Sequence, residues 1–243
     1  NEENLENWTK TLKNIGMNTV EVTVYLNHSV WDEPHVFLKD ESYQVIHEIR
    51  EAKKAGLKVV LILRTSLHHY YEKNRFLWHG MIMPNGEEKL KNWFEYYREF
   101  ALIWAEICEK EGVEIMAIGS EMNALTATQP VEEIPDLYQY FGDIERQKNH
   151  EGRALKYADV LRKNNLWVRG KGDYDDLNNF LNDRIEAQKK WADQITFRGE
   201  QNRVKKINKR RQFIEYQWIN IINLIKNVYT GKLTYAANFD NYH

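Results

Sequence analysis

The sequence predicts a protein of the α/β class, in which helices alternate with the strands of a parallel sheet. The main observation is a four-fold recurrence in which an amphipathic segment ends, a glycine follows and a short apolar run begins, at Gly16, Gly56, Gly112 and Gly231. These runs are β-branched or nearly continuous in apolar character, which is typical of strands covered on both faces. Such alternation implies parallel pairing through right-handed crossovers. An open doubly wound sheet and part of a (β/α)8 barrel both fit, although no glycine-rich phosphate loop that would favour the former follows any strand.

Each glycine is interpreted as the end of a helix, because the position after the last turn usually needs a positive φ that a Cβ opposes. The strands are then predicted at residues 18–25, 57–63, 114–118 and 233–237. Asp40 and Ser42 are capping candidates for the helix before the second strand. The helix before the third strand is predicted by a stripe at helical spacing, formed by Trp93, Tyr97, Phe100, Trp104 and Ile107.

Between the third and fourth strands the chain leaves this pattern for about ninety residues. Apolar residues spaced by three and four predict helices over 175–195 and 200–229, joined at 196–199 as an antiparallel helical hairpin. The second helix would be on the order of 45 Å long, which is longer than a barrel helix needs. We interpret the hairpin as an inserted arm. The predicted organisation is therefore 1–125 as the first part of the α/β domain, 126–212 as the helical insertion and 213–243 as the return.

Composition excludes several classes of function. The chain has 243 residues, enough for one large domain or two small ones. The 34 Lys and Arg residues nearly balance the 36 Asp and Glu residues, so the chain has no net positive charge that would attract nucleic acid or an anionic membrane. The basic run within 203–211 is interpreted as a solvated helix face. No apolar run approaches the roughly 20 residues of a membrane span. Cys108 is the only cysteine, which excludes an internal disulfide. Aromatic residues make up 13% of the chain and suit either carbohydrate recognition or helix packing.

Chemical groups in parallel α/β proteins gather at the carboxyl ends of strands. Glu121 is the sharpest candidate, because the end of a strand partly removes a carboxyl group from water, as a general acid requires. Pairing of Glu121 with Arg64, or capping of the next helix, is the structural alternative. Trp78 is either a platform for a sugar ring or an anchor for its loop. The candidates at the strand ends are Asn27, His28, Arg64, His68, His69, Ser120, Glu121, Asn123, Asn238 and Asp240.

The loop histidines do not predict a metal site. His68, His69 and His79 show neither the i, i+4 pairing of a helical ligand pair nor an HExxH pattern, so we expect them to serve as hydrogen-bonding groups. Ser120 lies in Gly-Ser-Glu rather than in the Gly-x-Ser-x-Gly motif, which does not support a serine nucleophile. We predict neither a metal nor a cofactor.

At these residues the chain resembles the central part of glycoside hydrolase family 113, most specifically at 118–121 and 233–238. The similar segments, in order, are GMNTVEVTVYL, EAKKAGLKVVLIL, WFEYYREFALIWAEICEKEGVEIMAIGSE and LIKNVYTGKLTYAANFD. The resemblance implies a partial (β/α)8 TIM barrel, with about four parallel strands as the second to fifth of the barrel, plus the inserted helical hairpin. It further implies a retaining β-mannanase with Glu121 as acid/base. The substrate-binding residues would be Asn238, Trp78, His68, Arg64, Asn123 and Asp240.

Retaining hydrolysis needs a second carboxylate as nucleophile, about 5 Å from the first. In the family it belongs to the seventh strand, and no position here matches it, so we expect this chain to be a fragment that is inactive alone. The expected ligand is a polysaccharide or oligosaccharide, and the resemblance favours an extracellular or cell-envelope location. The alternative function is a non-catalytic module that binds a protein partner, or itself, through the helical arm at 175–229. Neither nucleic acid nor a membrane span is expected.

Overall fold

The structure is a computed structural model that describes residues 2–37, 41–128, 145, 149 and 177–237. The helices are α1 (Glu2–Asn14), α2 (Ser42–Lys54), α3 (Glu87–Glu111), α4 (Leu177–Thr196) and α5 (Arg203–Lys226). The strands are β1 (Thr19–His28), β2 (Val36–Phe37), β3 (Lys58–Leu67), β4 (Ile115–Ser120) and β5 (Lys232–Ala236). Two short 3-10 turns cover Glu72–Asn74 and His79–Met81. No helix in the described part of the chain is long and apolar enough to cross a membrane.

The strands form one sheet in the order β2-β1-β3-β4-β5. β1, β3, β4 and β5 are parallel, as predicted, and the two-residue strand β2 adds an antiparallel edge through the pairing of Asn27 with Phe37. The parallel strands follow one another in chain order across the sheet, whereas a doubly wound sheet reverses its order part-way. The predicted α/β class is therefore confirmed, and the strand order favours the barrel alternative.

Helices cover one face of the sheet. α2 packs on β1 and β3, and α3 packs on β4. Along β1, Val20, Val22 and Val24 are buried, while Glu21 and Tyr25 on the opposite face are exposed. The expectation that the strands would be covered on both faces is thus wrong for β1, because β1 carries the alternation of a strand with one covered face.

The prediction that a glycine with positive φ ends each helix is confirmed at three of the four positions. Gly16, Gly56 and Gly112 have positive φ values of 87°, 76° and 65°, each just before a parallel strand. Gly231 does not, and the prediction for it was wrong. Its backbone lies against the ring of Tyr229, where a Cβ would collide with the phenol. The Tyr229 hydroxyl donates to the carbonyl oxygen of Val113 at 2.9 Å, so this glycine provides space for a buried ring.

The capping prediction for α2 also needs correction. Ser42 is the first residue of the helix itself, and Glu41 stands at the cap without a side-chain hydrogen bond to the backbone. Asp40, the other capping candidate, lies outside the described residues.

The two predicted helices after β4 both form and both pack onto the α/β core. Trp218 of α5 contacts the rings of Phe94 and Tyr97 on α3, with centroids 5.7 and 5.5 Å apart. Trp191 of α4 is 1% exposed, and its indole N–H donates to the carbonyl oxygen of Met81 at 2.7 Å. At 24 residues, α5 is no longer than the 25-residue α3, so length does not distinguish it from a barrel helix. The predicted boundary between 212 and 213 falls inside α5, and the division into three segments stays a prediction.

Candidate active site

Glu121 is the first residue after β4, and two neighbouring strands determine its position. Its φ is +51°, in the left-handed region that residues other than glycine rarely adopt. Its backbone N–H donates to the carbonyl oxygen of Ala236 on β5 at 3.0 Å. The next N–H, of Met122, donates to the hydroxyl oxygen of Tyr235 at 2.7 Å. Burial raises the pKa of Tyr235, and the nearby charge of Glu121 adds to that rise. β5 therefore holds the strained turn that aims the Glu121 side chain.

Within the described part of the chain, two side chains contact the Glu121 carboxylate. The Arg64 guanidinium donates through Nη2 to Oε2 at 2.9 Å, and the His79 imidazole Nε2 lies 3.0 Å from the same oxygen. The Glu121 side chain stays 29% exposed. The pairing with Arg64 that the sequence suggested as a structural alternative is thus present. It leaves a carboxylate that is held in one orientation and still open to a ligand.

The loop between β3 and α3 closes one side of this group. Trp78 is half-buried, and its ring meets that of His79 edge to face, with centroids 5.0 Å apart. The carbonyl oxygen of Gly80 accepts a hydrogen bond from the Ala124 N–H at 2.9 Å. A Cβ on Gly80 would stand 2.6 Å from the carbonyl oxygen of Glu121. Residues 78–80 are therefore packed directly against the turn that carries the carboxylate.

Polar side chains continue along the sheet edge from Arg64. The Ser66 hydroxyl, two residues further on the same face of β3, donates to Oδ1 of Asn27 on β1 at 2.8 Å. His28 is fully buried, and burial, with a smaller effect of His35, lowers its pKa to about 3. His28 is therefore a neutral core residue rather than a group facing a ligand.

The remaining sequence candidates that the structure describes lie around this edge. Asn123 is half-buried and follows Glu121 by two residues, and its Oδ1 is buried without a hydrogen-bond partner among the described residues. His68 is exposed just beyond β3, about 13 Å along the chain from Arg64 at the rise of an extended strand. His69 donates through Nδ1 to the Asn74 carbonyl oxygen at 3.1 Å. Asn238 and Asp240 lie outside the described residues.

The chemistry available here is proton transfer and ligand orientation. A partly exposed carboxylate held by a guanidinium and an imidazole can exchange a proton with a bound ligand. Among the described residues, no group of three or more His, Cys, Asp or Glu side chains is arranged to hold a metal ion.

The decisive comparison is with protein families. The model of Glycoside Hydrolase Family 113 matches residues 3–140, which is more than half of the chain. The chain belongs to glycoside hydrolase family 113. The matched part runs from α1 through β4 and includes Arg64, His79 and Glu121. No curated protein matches the chain.

A solved structure of family 113 shares the fold. A complex of a GH113 beta-1,4-mannanase aligns with a TM-score of 0.50 and 16% identity, over 96% of this chain and 49% of that one. The GH113 beta-mannanase AaManA from Alicyclobacillus acidocaldarius, in complex with ManMIm, gives a TM-score of 0.44 and 18% identity, over 58% of this chain and 44% of that one. This chain thus spans about half the length of the first. The sheet and its helices form part of a family 113 (β/α)8 TIM barrel.

Sequence reasoning did not place three residues in this candidate site. His79 was expected only to be a hydrogen-bonding loop histidine, and Gly80 and Tyr235 were not considered as site residues. His79 and Gly80 lie in a loop without periodicity, so their only signal was the Trp-His-Gly string after a strand. Tyr235 lies within the predicted strand at 233–237, but its contact with Met122 spans 113 positions of sequence.

Proposed function

We propose that this chain carries the acid/base half of the active site of a retaining glycoside hydrolase that acts on a β-linked, mannan-type polysaccharide. The observation that carries the proposal is the Glu121 carboxylate, partly exposed at the carboxyl end of β4 and oriented by Arg64 and His79. Family membership supports the reaction class. The mannanase names of the solved relatives support the substrate class.

In this mechanism Glu121 donates a proton to the leaving glycosidic oxygen while a second carboxylate attacks the anomeric carbon from the opposite side. Glu121 then takes a proton from the water that hydrolyses the glycosyl-enzyme. Arg64 and His79 both contact Oε2, so they fix the direction of the carboxyl group in both steps. We place the nucleophilic carboxylate outside this chain. Trp78, Asn123 and His68 would line the path of the sugar. Asn238 and Asp240, which lie outside the described residues, are proposed as further substrate-binding residues.

The test compares wild type with Glu121→Gln in the longest natural form of the protein, on β-mannan and on other β-glycans. Loss of general acid catalysis lowers kcat on mannan by about 10²- to 10⁴-fold. An aryl β-mannoside with a good leaving group needs no protonation, so its first step stays fast in the variant. Glu99→Gln, at an exposed position on α3, is the matched control and keeps full activity. Equal turnover of mannan by wild type and Glu121→Gln would reject the assignment.

One observation favours a second function, binding of a protein partner through the helical segment. α5 exposes Tyr216 and Ile219, which lie three residues apart and so share a face of the helix. A second copy of the chain or a partner with an apolar groove would cover this face. The test is the mass of the complex in solution for wild type and for Tyr216→Glu with Ile219→Glu. Dissociation with mannan binding intact supports this function, and an unchanged mass contradicts it.

A further inference from the structure

An exposed group of rings lies at the carboxyl ends of β1 and β3. This aromatic rim consists of Phe37, His68, Tyr70 and Tyr71. His68 is at its centre, with ring centroids 5.9 to 6.3 Å from each of the other three. Tyr70 is 88% exposed. Phe37 and Tyr71 are 40% and 41% exposed, so each of the three large rings presents surface to water. Exposed clusters of aromatic rings are a feature of binding surfaces.

The rim is held in place by a buried side chain. Asn74 is 0% exposed, and its amide nitrogen donates to the carbonyl oxygens of Ser29 at 2.5 Å and His68 at 2.7 Å. Its Oδ1 accepts from the backbone N–H of Trp31 at 3.1 Å. Phe37 is fixed separately by the pairing of β2 with β1. The backbone that bears the rings is therefore ordered before any ligand arrives, which reduces the entropy lost on binding.

The rim lies on the same edge of the sheet as Glu121, because both follow the carboxyl ends of parallel strands. Arg64, Ser66 and His68 are alternate residues, so they project to one side of β3 and its continuation. Arg64 contacts Glu121, and His68 lies about 13 Å further along at the rise of a strand. Asn27 and Ser66 provide polar groups between the two ends. A single sugar cannot reach from Glu121 to the rim, whereas a chain of several sugars can.

We propose that the aromatic rim binds sugar units of a β-linked polysaccharide at a distance from the bond that is cleaved. This inference rests on the proposed function and adds a subsite to it. Pyranose rings present C–H faces that stack on aromatic planes, and their hydroxyl groups need polar partners. The Tyr70 N–H donates to Nδ1 of His68 at 3.3 Å, which puts the imidazole proton on Nε2 as a donor for a hydroxyl group. The rim thus combines stacking surfaces with a fixed hydrogen-bond donor.

The experiment uses the longest natural form of the protein and replaces both exposed tyrosines, Tyr70→Ala with Tyr71→Ala. Binding to soluble β-mannan is measured by retardation in affinity gels, which needs no catalysis. We expect the Kd for the polymer to rise about three- to tenfold, the scale of a lost aromatic contact. We expect kcat/KM on the polymer to fall by a similar factor, while kcat/KM on an aryl β-mannoside is unchanged. Tyr70→Phe with Tyr71→Phe keeps the rings and retains polymer binding.

The matched control is Tyr96→Ala, because Tyr96 is 45% exposed and lies within α3 rather than at a strand end. It leaves mannan binding and turnover unchanged. If wild type binds mannan without hydrolysing it and the double alanine variant binds weakly, the result supports sugar binding by the rim and contradicts the proposed hydrolase function. If wild type hydrolyses mannan and the double alanine variant has the same Kd and kcat/KM, the result contradicts sugar binding by the rim and supports the proposed hydrolase function. Absence of binding by wild type to mannan and other β-glycans also overturns the rim.

Discussion

Gly80 lies so close to the backbone of Glu121 that a Cβ at position 80 would stand 2.6 Å from the Glu121 carbonyl oxygen. On its other side the same Cβ would enter the ring of Trp78. Gly80 is buried, and its carbonyl oxygen is tied to the Ala124 N–H. The loop after β3 and the turn after β4 therefore pack together through a contact that only glycine allows.

The first prediction is that Gly80→Ala separates the two segments. The methyl group must displace either the Trp78 ring or the Glu121 turn, so we expect a loss of about 1–3 kcal/mol in the free energy of unfolding. We expect kcat on mannan to fall at least about tenfold, because a small displacement of a catalytic group is costly. Gly16→Ala is the control. Gly16 has a positive φ but no atom within 4 Å of the added Cβ, so it loses stability and keeps activity. Wild-type kcat in Gly80→Ala would refute the contact.

The second prediction concerns Tyr235, whose hydroxyl oxygen accepts from the Met122 N–H. Tyr235→Phe leaves that N–H without its acceptor, which costs about 1–3 kcal/mol for a buried group. Because the same turn gives Glu121 its left-handed backbone, kcat should fall while KM stays near the wild-type value. Tyr96→Phe, at an exposed site on α3, is the control. Chemical denaturation and steady-state kinetics measure both effects. A variant with unchanged stability and kcat would mean that β5 does not hold the turn.

The sequence supports the pairing of Arg64 with Glu121 more directly than the rest of the site. Arg64 follows the strand predicted at 57–63 and Glu121 follows the strand predicted at 114–118, and the carboxyl ends of such strands meet at one edge. His79 and Gly80 had no such signal. Their contact with Glu121 depends on how an irregular loop folds back, and loop geometry leaves no period in the sequence. The glycines also show that a sequence pattern can have two structural causes. Gly112 and Gly231 both come after a helix, but Gly112 adopts a left-handed backbone, whereas Gly231 leaves space for the ring of Tyr229.

The third prediction is a pH dependence of stability that comes from His28. Its pKa is about 3 in the folded protein, against 6.5 for an unperturbed histidine, because burial disfavours the charged imidazole. Between these values only the unfolded chain takes up the proton, so this group lowers stability as the pH falls through that window. Its contribution between about pH 7.5 and pH 5 is a loss of about 2 kcal/mol. His28 therefore lowers the free energy of unfolding least at pH values above 6.5, the pKa of an unperturbed histidine.

His28→Gln removes that contribution, so its free energy of unfolding should change less than that of wild type between the two pH values. Urea denaturation at each pH measures the difference. Gln44→Ala, at an exposed site on α2 without an ionisable group, is the control and retains the wild-type change. NMR titration of the His28 ring in the wild type checks the same point without a substitution. A His28 midpoint near 6.5 in the folded protein would contradict the prediction.

The last prediction decides whether α4 belongs to the barrel core or is an appended arm. Trp191 is 1% exposed, and its indole N–H donates to Met81, at the end of the 3-10 turn that begins with His79. Trp191→Ala leaves a large cavity and an unpaired carbonyl oxygen, so it should cost about 3–5 kcal/mol. The shift of Met81 should also disturb His79 and lower kcat.

The control is Tyr43→Ala, which removes an aromatic side chain that is 77% exposed on α2. It should change the free energy of unfolding by less than about 0.5 kcal/mol, as surface substitutions do. Calorimetry should give a single transition for Trp191→Ala at a lower Tm, because α4 unfolds with the sheet. An arm packed independently of the sheet would instead leave the main transition and kcat unchanged. That result would favour an appended helical hairpin over two helices integrated into the barrel.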